Sequence, residues 1–521
     1  MLQNRLTDLS LVAVLALLVF NVDGCATRLS SFTKRTDSSA DEGKDAKTLS
    51  AEAYALMQQN NLPAAIEKAR HAVQRDPTFA EAQKNLALAY CDSGHVDEAL
   101  GPGQKAVALA PEFDKAHFVL GKILFGLGHF EDSIKELREA TRINPSYDKA
   151  YFKLGLVFDR MGDLKEAEAA FDQAVSIKPD DLTYQGVRDR LRGYVRVQSG
   201  RDRAALIVPR GRTREYATAV YSGIFYECLI HQNYDLIEKS AEEARMSKEK
   251  LPGAGWKLQK IYAGLKEPWE AESASDYEWN DYLRLLQQWA DQKPESVTAK
   301  VAIADTYVAY AWHARGTGFA NTVSEENGRL FLQRLAAAKR VLTLVPEPDR
   351  LCPKWYSVML RIALGQGWEV AAYDELFGQA VSFEPTWYEY YEEKATFLLP
   401  RWHGKPGDLQ QYLSSLQQRP GGRDGAIIYF LINQFAVNYD PQVDATISFT
   451  RIKQGFSELQ NAYGASADQL NWTCYMAMRF NDRPFAKELF SQISDDWYES
   501  VWGSKDSFDA AKSLAMTNKS T

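Results

Sequence analysis

A repeat of 34 residues in the first third of the chain constrains its fold more than any other sequence feature. The recurring residue is a proline, found at Pro77, Pro111, Pro145 and Pro179. These prolines align four blocks, 46–79, 80–113, 114–147 and 148–181. A period of about 20 to 50 residues is typical of solenoids, in which each repeat buries its apolar face against the next one. The first third is therefore predicted to be a solenoid.

Each block is predicted to be a helix hairpin. Small residues fill three columns of the alignment: Ala53, Ala87, Gly121 and Gly155; Ala65, Ala99, Ser133 and Ala167; Ala72, Ala106, Ala140 and Ala174. Small side chains let two helices approach closely, and a proline ends the second helix of each pair. A glycine stands between the two helices in three blocks, at Gly94, Gly128 and Gly162. In block 2, Gly103 occupies a bulky position, so "GPG" at 101–103 is predicted to loosen the second helix.

These columns resemble the signature of the tetratricopeptide repeat, and the resemblance covers about a quarter of the chain. It implies a concave surface that binds proteins. The positions that commonly face this groove carry lysines beside aromatic rings: Lys84, Asn85, Lys115, Phe118, Lys122, Lys149, Phe152 and Lys153. Such a surface suits an acidic peptide or a C-terminal carboxylate. The alternative is a solvated lysine face, with Asp114 and Asp148 as helix N-caps.

The N-terminus predicts export with a lipid anchor. Arg5 precedes an apolar run, residues 11–20, which is too short to span a bilayer core of about 30 Å but fits a signal peptide. The next residues, "VDGC", resemble a bacterial lipobox with Cys25 as the lipidated residue. We therefore expect a signal peptide over 1–24, a flexible tether over 25–45 and a location in the bacterial cell envelope. Plain secretion, an uncleaved anchor and a cytoplasmic start are the alternatives.

Nine arginines lie between Arg188 and Arg214. They could form a patch for RNA or for an anionic membrane. The segment follows directly on the last repeat and lacks interleaved aromatics, which favours a capping helix and linker over 182–215. The net charge of −8 also disfavours a nucleic-acid partner.

The rest of the chain is predicted to be helical without the 34-residue period. Apolar residues keep the i, i+3, i+4, i+7 spacing over 216–496, and we expect a C-terminal tail over 497–521. Pairs closed by Pro346 and Pro385, and one more over 472–493, read as longer versions of the hairpins. The predicted fold class is all-α, with a solenoid of helix-turn-helix repeats followed by a larger irregular helical-repeat domain.

The second region has a resemblance of its own. The stretches "AYAWHARGTGFANTVSEENGRLFLQRL", "MLRIALGQGW" and "FLLPRWHGKPGDL" are similar to the bacterial domain of unknown function 4034. The likeness spans residues 220–480 and implies no particular reaction.

Two motifs of this region are the candidates for chemistry. "WHARGTG" and "PRWHG" could bring an acid–base histidine and a cationic clamp to an anionic or sugar ligand. The candidate residues are His313, Arg315, Arg401 and His403. No GxSxG, HExxH or P-loop motif accompanies them. The favoured function is therefore non-catalytic protein binding, with an envelope enzyme or ligand-binding protein as the alternative.

An ordinary helical turn is the favoured interpretation of the first motif. A helix from Ser296 would end at Gly316, Thr322 or Ser324 would cap the next helix, and Arg315 would pair with a buried acid such as Asp305.

The cysteine and histidine spacing predicts no metal site and no cofactor. No two cysteines stand at metal-ligand spacing. The four later ones, Cys91, Cys228, Cys352 and Cys474, are either buried thiols or disulfide partners in an oxidising compartment.

The lipid anchor is tested by Cys25→Ala. Because the acyl chains would be attached to this thiol, the variant should leave the membrane fraction and appear among the soluble envelope proteins. Fractionation and immunoblotting measure this, and retention of the variant in the membrane fraction would refute the anchor.

Overall fold

The computed structural model describes residues 41–517 except 42, 60, 201–213, 269–270, 272–273, 275, 317–321, 346–351, 419–421, 438–446 and 495. Within these ranges the chain forms 25 α-helices and no β-strand, which confirms the all-α prediction. The predicted signal peptide, Cys25 and most of the tether lie outside them. No helix in the described part is long and apolar enough to cross a membrane.

The chain forms two compact units. The first comprises Met1–Arg203, Glu227–Asn233 and Glu267–Pro294. The second comprises Ala204–Tyr226, Tyr234–Lys266 and Glu295–Thr521. Each is described separately below.

The first unit contains the four predicted hairpins. They are α1 (Ala46–Gln58) with α2 (Leu62–Arg75), α3 (Ala80–Asp92) with α4 (Val96–Leu109), α5 (Asp114–Gly126) with α6 (Phe130–Ile143), and α7 (Asp148–Met161) with α8 (Leu164–Ile177). Each second helix ends two residues before the repeat proline. The residue between them is extended, as at Asp76 with φ −141° and ψ 95°, because the proline ring excludes the α conformation from its predecessor.

The small-residue columns lie where the paired helices touch. All alanines of the three columns are fully buried. At Gly155 a Cβ would lie 2.4 Å from the Phe171 ring, so the phenyl group of α8 occupies the space that a side chain would need. Ser133 is also buried, and its hydroxyl donates to the carbonyl of Gly121 at 2.7 Å. The glycines that join the helices have left-handed backbones, with φ of 81°, 77° and 81° at Gly94, Gly128 and Gly162.

Two details of the repeats differ from the sequence prediction. Helix α4 is continuous through Pro102, and Gly103 packs against Ile123 of the next repeat instead of loosening the helix. Asp114 and Asp148 are the first helical residues, and the N-caps are the aromatic residues before them. Asp148 instead accepts a hydrogen bond from the Tyr184 hydroxyl at 2.7 Å.

Helix α9 (Leu182–Gln198) follows the last repeat and packs against it. The Asp181 carboxylate caps it by accepting from the backbone amides of Thr183 and Tyr184. The Tyr184 ring stacks on Phe152 at 4.6 Å. The end of α10 (Arg214–Ile230) and the whole of α13 (Asp276–Gln292) also belong to this unit.

The second unit contains the start of α10 and the remaining helices. They are α11 (Tyr234–Ser247), α12 (Lys257–Leu265), α14 (Val297–Arg315), α15 (Glu325–Thr343), α16 (Pro353–Gln366), α17 (Val370–Phe383), α18 (Glu389–Phe397), α19 (Asp408–Gln418), α20 (Gly422–Val437), α21 (Phe449–Tyr463), α22 (Ala467–Arg479), α23 (Arg483–Ile493), α24 (Glu499–Trp502) and α25 (Lys505–Met516).

Several of these helices repeat the hairpin design. Helices α16 and α17 have the length of the repeat helices, and Pro385 follows α17 at the same distance as in the repeats. They are joined through Gly367, whose φ is 68°. The pair predicted over 472–493 is formed by α22 and α23. Pro346 lies outside the described residues.

The stretch 497–521 contains two helices rather than a simple tail. Phe508 of α25 is buried against Phe490 and Trp502, with ring centroids 5.4 Å from each. The Trp502 indole donates to the side chain of Asn471 at 2.8 Å, which ties this end of the chain to α22.

The close approach of the repeat helices can be tested by Gly155→Ala. The new methyl group would overlap the Phe171 ring, so we expect a loss of about 1 to 3 kcal/mol in the free energy of unfolding and a lower melting temperature. Gly186→Ala is the matched control, because this helical glycine of α9 has open space at its Cβ and alanine should raise stability by about 1 kcal/mol. Calorimetry measures both; equal melting temperatures would contradict the packing argument.

Candidate functional site

The first helices of repeats 2 to 4, α3, α5 and α7, form the surface that we call the first-helix face. Lys115 and Lys149 are exposed on it, at the starts of α5 and α7. Lys122 forms an ion pair with Asp92 at 2.7 Å, and the Lys153 ammonium lies 5.5 Å from the centre of the Phe125 ring. This part of the face therefore presents cations beside aromatic rings.

Three of the predicted groove residues are structural instead. The Lys84 ammonium is buried and bonds to Glu81 at 2.6 Å. Asn85 is buried and donates to the hydroxyl and carbonyl oxygens of Ser50, at 2.9 and 3.0 Å. Phe152 belongs to the core beneath α9, while Phe118 is partly buried 5.1 Å from the Tyr147 ring. The sequence register placed them on the correct helices but did not reveal which side chains the neighbouring repeat would cover.

An acidic helix of the same unit lies against this face, which the sequence did not indicate. Asp281 of α13 forms an ion pair with Arg160 of α7 at 2.6 Å. Glu278, one turn earlier, acts on Lys122. Burial alone would lower the pKa of Lys122, but Cys91, Asp92 and Glu278 raise it above its usual range. The first-helix face thus already holds carboxylates of this chain.

One side of α13 is apolar and buried. Its buried side chains are Trp279, Tyr282, Leu283, Leu286, Trp289 and Ala290. They recur at the three- and four-residue spacing of one helix face, while the acids stand on other positions. The helix is therefore amphipathic, with carboxylates available to the lysines and the arginine of the repeats.

A buried cluster of charges joins the end of the repeats to residues 227–233. The Arg190 guanidinium bonds to the Glu227 carboxylate, and His231 bonds to Asp159 at 2.9 Å. His231 also lies 3.6 Å from Glu227 and stacks on the Tyr194 ring at 5.0 Å. Arg190, which the sequence placed in an arginine-rich segment, is therefore a core residue. Arg192 of the same helix pairs with Asp172 at 2.9 Å.

The cluster favours an ion network over a metal site. Its three ligand-type atoms, on Asp159, Glu227 and His231, lie within 4.8 Å of one another. Burial opposes the charge on His231, but the two carboxylates prevail and raise its pKa to about 9. A metal ion bound here would have to displace the proton of this imidazole. With this proton in place, the positive charges of Arg190 and His231 balance the negative charges of Asp159 and Glu227.

The two candidate motifs of the second unit do meet, through their tryptophans. The Trp312 and Trp402 rings lie 5.1 Å apart, edge to face. The Arg315 guanidinium lies 4.6 Å from the centre of the Trp402 ring. Burial lowers the pKa of Arg315, and the positive charge of Arg401 lowers it further, which places the two cations near each other.

The two histidines of these motifs have different surroundings. His313 is exposed on α14. The Nε2–H of His403 donates to the carbonyl of Leu364 at 2.8 Å, and its ring packs on Phe397. Helix α14 ends at Gly316 as predicted, with φ 69°, and Ser324 rather than Thr322 caps α15. Residues 317–321 of the first motif lie outside the described residues.

The predicted pairing of Arg315 with Asp305 is wrong. Asp305 is fully buried and pairs with Arg361 at 2.8 Å and with Lys354 at 3.4 Å, both on α16. Glu389 and Glu393 of α18 belong to the same network, with Glu389 at 2.9 Å from Lys354 and Glu393 at 3.2 Å from Arg361. Burial would raise the pKa of Glu389, but the two cations lower it to about 2. Asp305 of α14 therefore pairs with residues of α16 and not with Arg315 of the motif.

The ionic network forms part of the wall of a cavity in the second unit. The cavity has a volume of about 530 Å³ and is partly open to solvent. Its walls come from α12, α14, α16, α18, α20 and α22 and from the loop of residues 253–255. The charged side chains at its surface are Lys260, Lys266, Asp305, Lys354, Arg361, Glu389, Glu392 and Asp468. Sequence analysis missed this site because these residues share no motif.

Comparison with known proteins identifies the repeats. The family model of the tetratricopeptide repeat matches residues 50–112 and 118–181. The fold of this segment is the tetratricopeptide repeat. These matches fall on the four hairpins. A search of curated proteins finds no match for the chain.

Several solved structures align with part of the chain. MamA from Desulfovibrio magneticus is 17% identical, over 35% of this chain and 94% of that chain, with a TM-score of 0.28. A thermophilic tetratricopeptide-repeat protein of Thermus thermophilus is 22% identical, over 37% and 94%, with a TM-score of 0.27. The Thermobaculum terrenum O-GlcNAc transferase is 23% identical, over 25% and 26%, with a TM-score of 0.24.

The charge cluster behind the tetratricopeptide repeats predicts a pH-dependent stability. The pKa of His231 rises from 6.5 to about 9 on folding, so its stabilising effect is complete below pH 6.5 and is lost as the pH rises through about 9. The shift corresponds to at most about 3 kcal/mol. His231→Gln should therefore lower the melting temperature most near pH 6.5 and progressively less towards pH 9.

The scan starts at pH 6.5 because Asp159, whose pKa burial and Glu227 raise to about 6, titrates below it. His129→Gln, which replaces an exposed histidine at a turn of the repeats, is the control for the loss of one imidazole. A constant difference between His231→Gln and wild type would show that the imidazole acts without its charge.

Proposed function

We propose that this protein is a non-catalytic scaffold of the bacterial cell envelope that binds an acidic segment of a partner protein on its first-helix face. The observation that carries the proposal is the ion pair between Arg160 and Asp281, together with the action of Glu278 on Lys122. Tetratricopeptide repeats bind protein segments along this kind of surface, and in this chain the segment already in contact is an acidic helix.

The exposed part of the face has room for a further anion. Lys115 and Lys149 stand in equivalent positions of successive repeats, one residue after the start of α5 and of α7. Both are exposed, whereas Lys122 already pairs with Asp92. A row of ammonium groups raises the rate at which an acidic segment associates and favours its carboxylates over other side chains. A free C-terminal carboxylate would fit the same row.

The envelope location rests on the N-terminal sequence. The apolar run over 11–20 and Cys25 predict export and a lipid anchor, which would hold the repeats at a membrane surface through the tether. The resemblance of residues 220–480 to the domain of unknown function 4034 likewise remains a prediction. Both agree with a binding protein that works outside the cytoplasm.

The alternative function is that of a ligand-binding protein or enzyme of the C-terminal region. For this function we propose a site other than the two histidine motifs. His403 is engaged with the Leu364 carbonyl, and His313 is exposed on α14. The cavity lined by Lys260 and Glu392 is the better candidate for a small ligand. We propose no reaction for it.

The binding surface is tested by reversing its charge. The triple variant Lys115→Glu, Lys149→Glu and Lys153→Glu should lose at least about ninety per cent of the partner protein captured from native envelopes, because each reversal replaces an attraction for a carboxylate by a repulsion. Quantitative mass spectrometry after cross-linking and pull-down measures the captured protein.

The control carries the same charge change on the second helices. Lys105, Lys135 and Lys165 are exposed on α4, α6 and α8, so the corresponding triple glutamate variant alters net charge equally but leaves the first-helix face intact. It should capture the partner as wild type does. Equal capture by both triple variants, or equal loss in both, would reject the first-helix face as the binding surface.

A further inference from the structure

Two of the charged side chains at the cavity surface are unpaired. Lys260 of α12 and Glu392 of α18 both line the cavity, and among the described residues neither has an ion-pair partner within 4.0 Å. Each lies in the electrostatic field of the other. A charge that is removed from water without a partner is costly, so such groups are usually paired in folded proteins.

The other charges of the cavity are already engaged. Lys354 and Arg361 pair with Asp305 and Glu389 in the network described above, and the positive charge of Lys266 also acts on Asp305. Asp468 accepts a hydrogen bond from Gln434 at 2.6 Å. The walls are therefore formed by paired groups, and Lys260 and Glu392 stand apart from them as one cation and one acid.

Burial favours the neutral form of both unpaired groups. It lowers the pKa of Lys260, and together with the charge of Glu389 it raises the pKa of Glu392 to about 7. In both cases the charged form is disfavoured while the cavity lacks compensating charges. A ligand that supplied an anion to one group and a cation to the other would relieve both.

The loop of residues 253–255 near Lys260 has a strained backbone that is held by hydrogen bonds. Gly253 and Ala254 have φ of 86° and 67°, and Ala254 is a buried residue for which this conformation is costly. The amide of Gly253 donates to Gly464 at 2.8 Å, and its carbonyl accepts from Gln469 at 3.2 Å. The strained loop is thus fixed from α21 and α22, as is typical of backbone at binding sites.

We propose that this cavity binds a zwitterion of the amino-acid type, whose carboxylate pairs with the Lys260 ammonium and whose ammonium group pairs with the Glu392 carboxylate. An anion alone would leave Glu392 uncompensated beside Glu389, and a cation alone would leave Lys260 uncompensated. The volume of about 530 Å³ accommodates a free amino acid or a short peptide, which share this chemistry.

The proposal is tested by calorimetric titration of ligands that differ in one charge. The zwitterions are chosen by a thermal-shift screen of the proteinogenic amino acids and of L-alanyl dipeptides. The best zwitterion should bind the purified protein about ten- to a hundredfold more tightly than its amide, which lacks the carboxylate, or its N-acetyl derivative, which lacks the ammonium group. Tighter binding of a free amino acid identifies a free amino acid as the ligand, and tighter binding of a dipeptide identifies a short peptide.

Each side chain is then assigned by its own variant. Lys260→Met should abolish the preference over the amide but keep the preference over the N-acetyl derivative, and Glu392→Gln should do the opposite. Lys260→Arg retains the charge and should restore much of the preference. Without ligand, Lys260→Met and Glu392→Gln should be at least as stable as wild type, because each removes an unpaired charge.

Matched variants outside the cavity serve as controls. Lys257 lies on the same helix as Lys260 but pairs with Glu249 at 3.2 Å, and Glu375 is exposed on α17. Lys257→Met and Glu375→Gln should bind as wild type. The proposal is overturned if no zwitterion binds at millimolar concentration, or if Lys260→Met and Glu392→Gln discriminate among the ligands as wild type does.

Discussion

The close approach of two helices within each hairpin is the constraint on which the repeats depend. At Gly155 and at Gly121 the partner helix places a side chain where a Cβ would be, and the alanine columns are fully buried. Hairpins that pack this closely bury one continuous apolar surface. The first helix of each hairpin then lies beside the first helix of the next. The first-helix face follows from this alignment, because equivalent positions of α5 and α7 repeat Lys115 and Lys149 along the solenoid. The same principle recurs in the second unit, where a Cβ at Gly455 would lie 2.2 Å from the Ala426 carbonyl oxygen.

The molecule uses buried charges in two different ways. Arg190, Glu227, His231 and Asp159 form a cluster of paired cations and acids. A second cluster consists of Asp305, Glu389, Glu393, Lys354 and Arg361. Breaking one partner of such a cluster leaves an uncompensated buried charge, so these groups hold irregular helices in register. Lys260 and Glu392 differ because they are unpaired and line a cavity. This contrast separates a structural ion network from a candidate binding site in the same unit.

Sequence periodicity predicted the repeats well because each hairpin is a local structure. The prolines, the glycine turns and the alanine columns all act within one block, and the structure has the helices with the expected boundaries. The prediction was weaker where a position is covered by a neighbour. Asn85 is buried by its bonds to Ser50 of the preceding repeat, and Asp305 pairs with Arg361 instead of Arg315. In both cases the decisive partner is many residues away, and no local pattern identifies it.

The sequence by itself determined the secondary-structure class, the four hairpins and the helix stop at Gly316, because turn chemistry and apolar spacing act over a few residues. Only the tertiary structure decided that α13 places Asp281 against Arg160, and that α12 and α18 bring Lys260 and Glu392 to one cavity. These pairs are separated by more than a hundred residues along the chain, so their meeting depends on how the helices pack. Packing thereby created the cavity, and the acidic contact on the first-helix face, from residues that carry no recognisable motif.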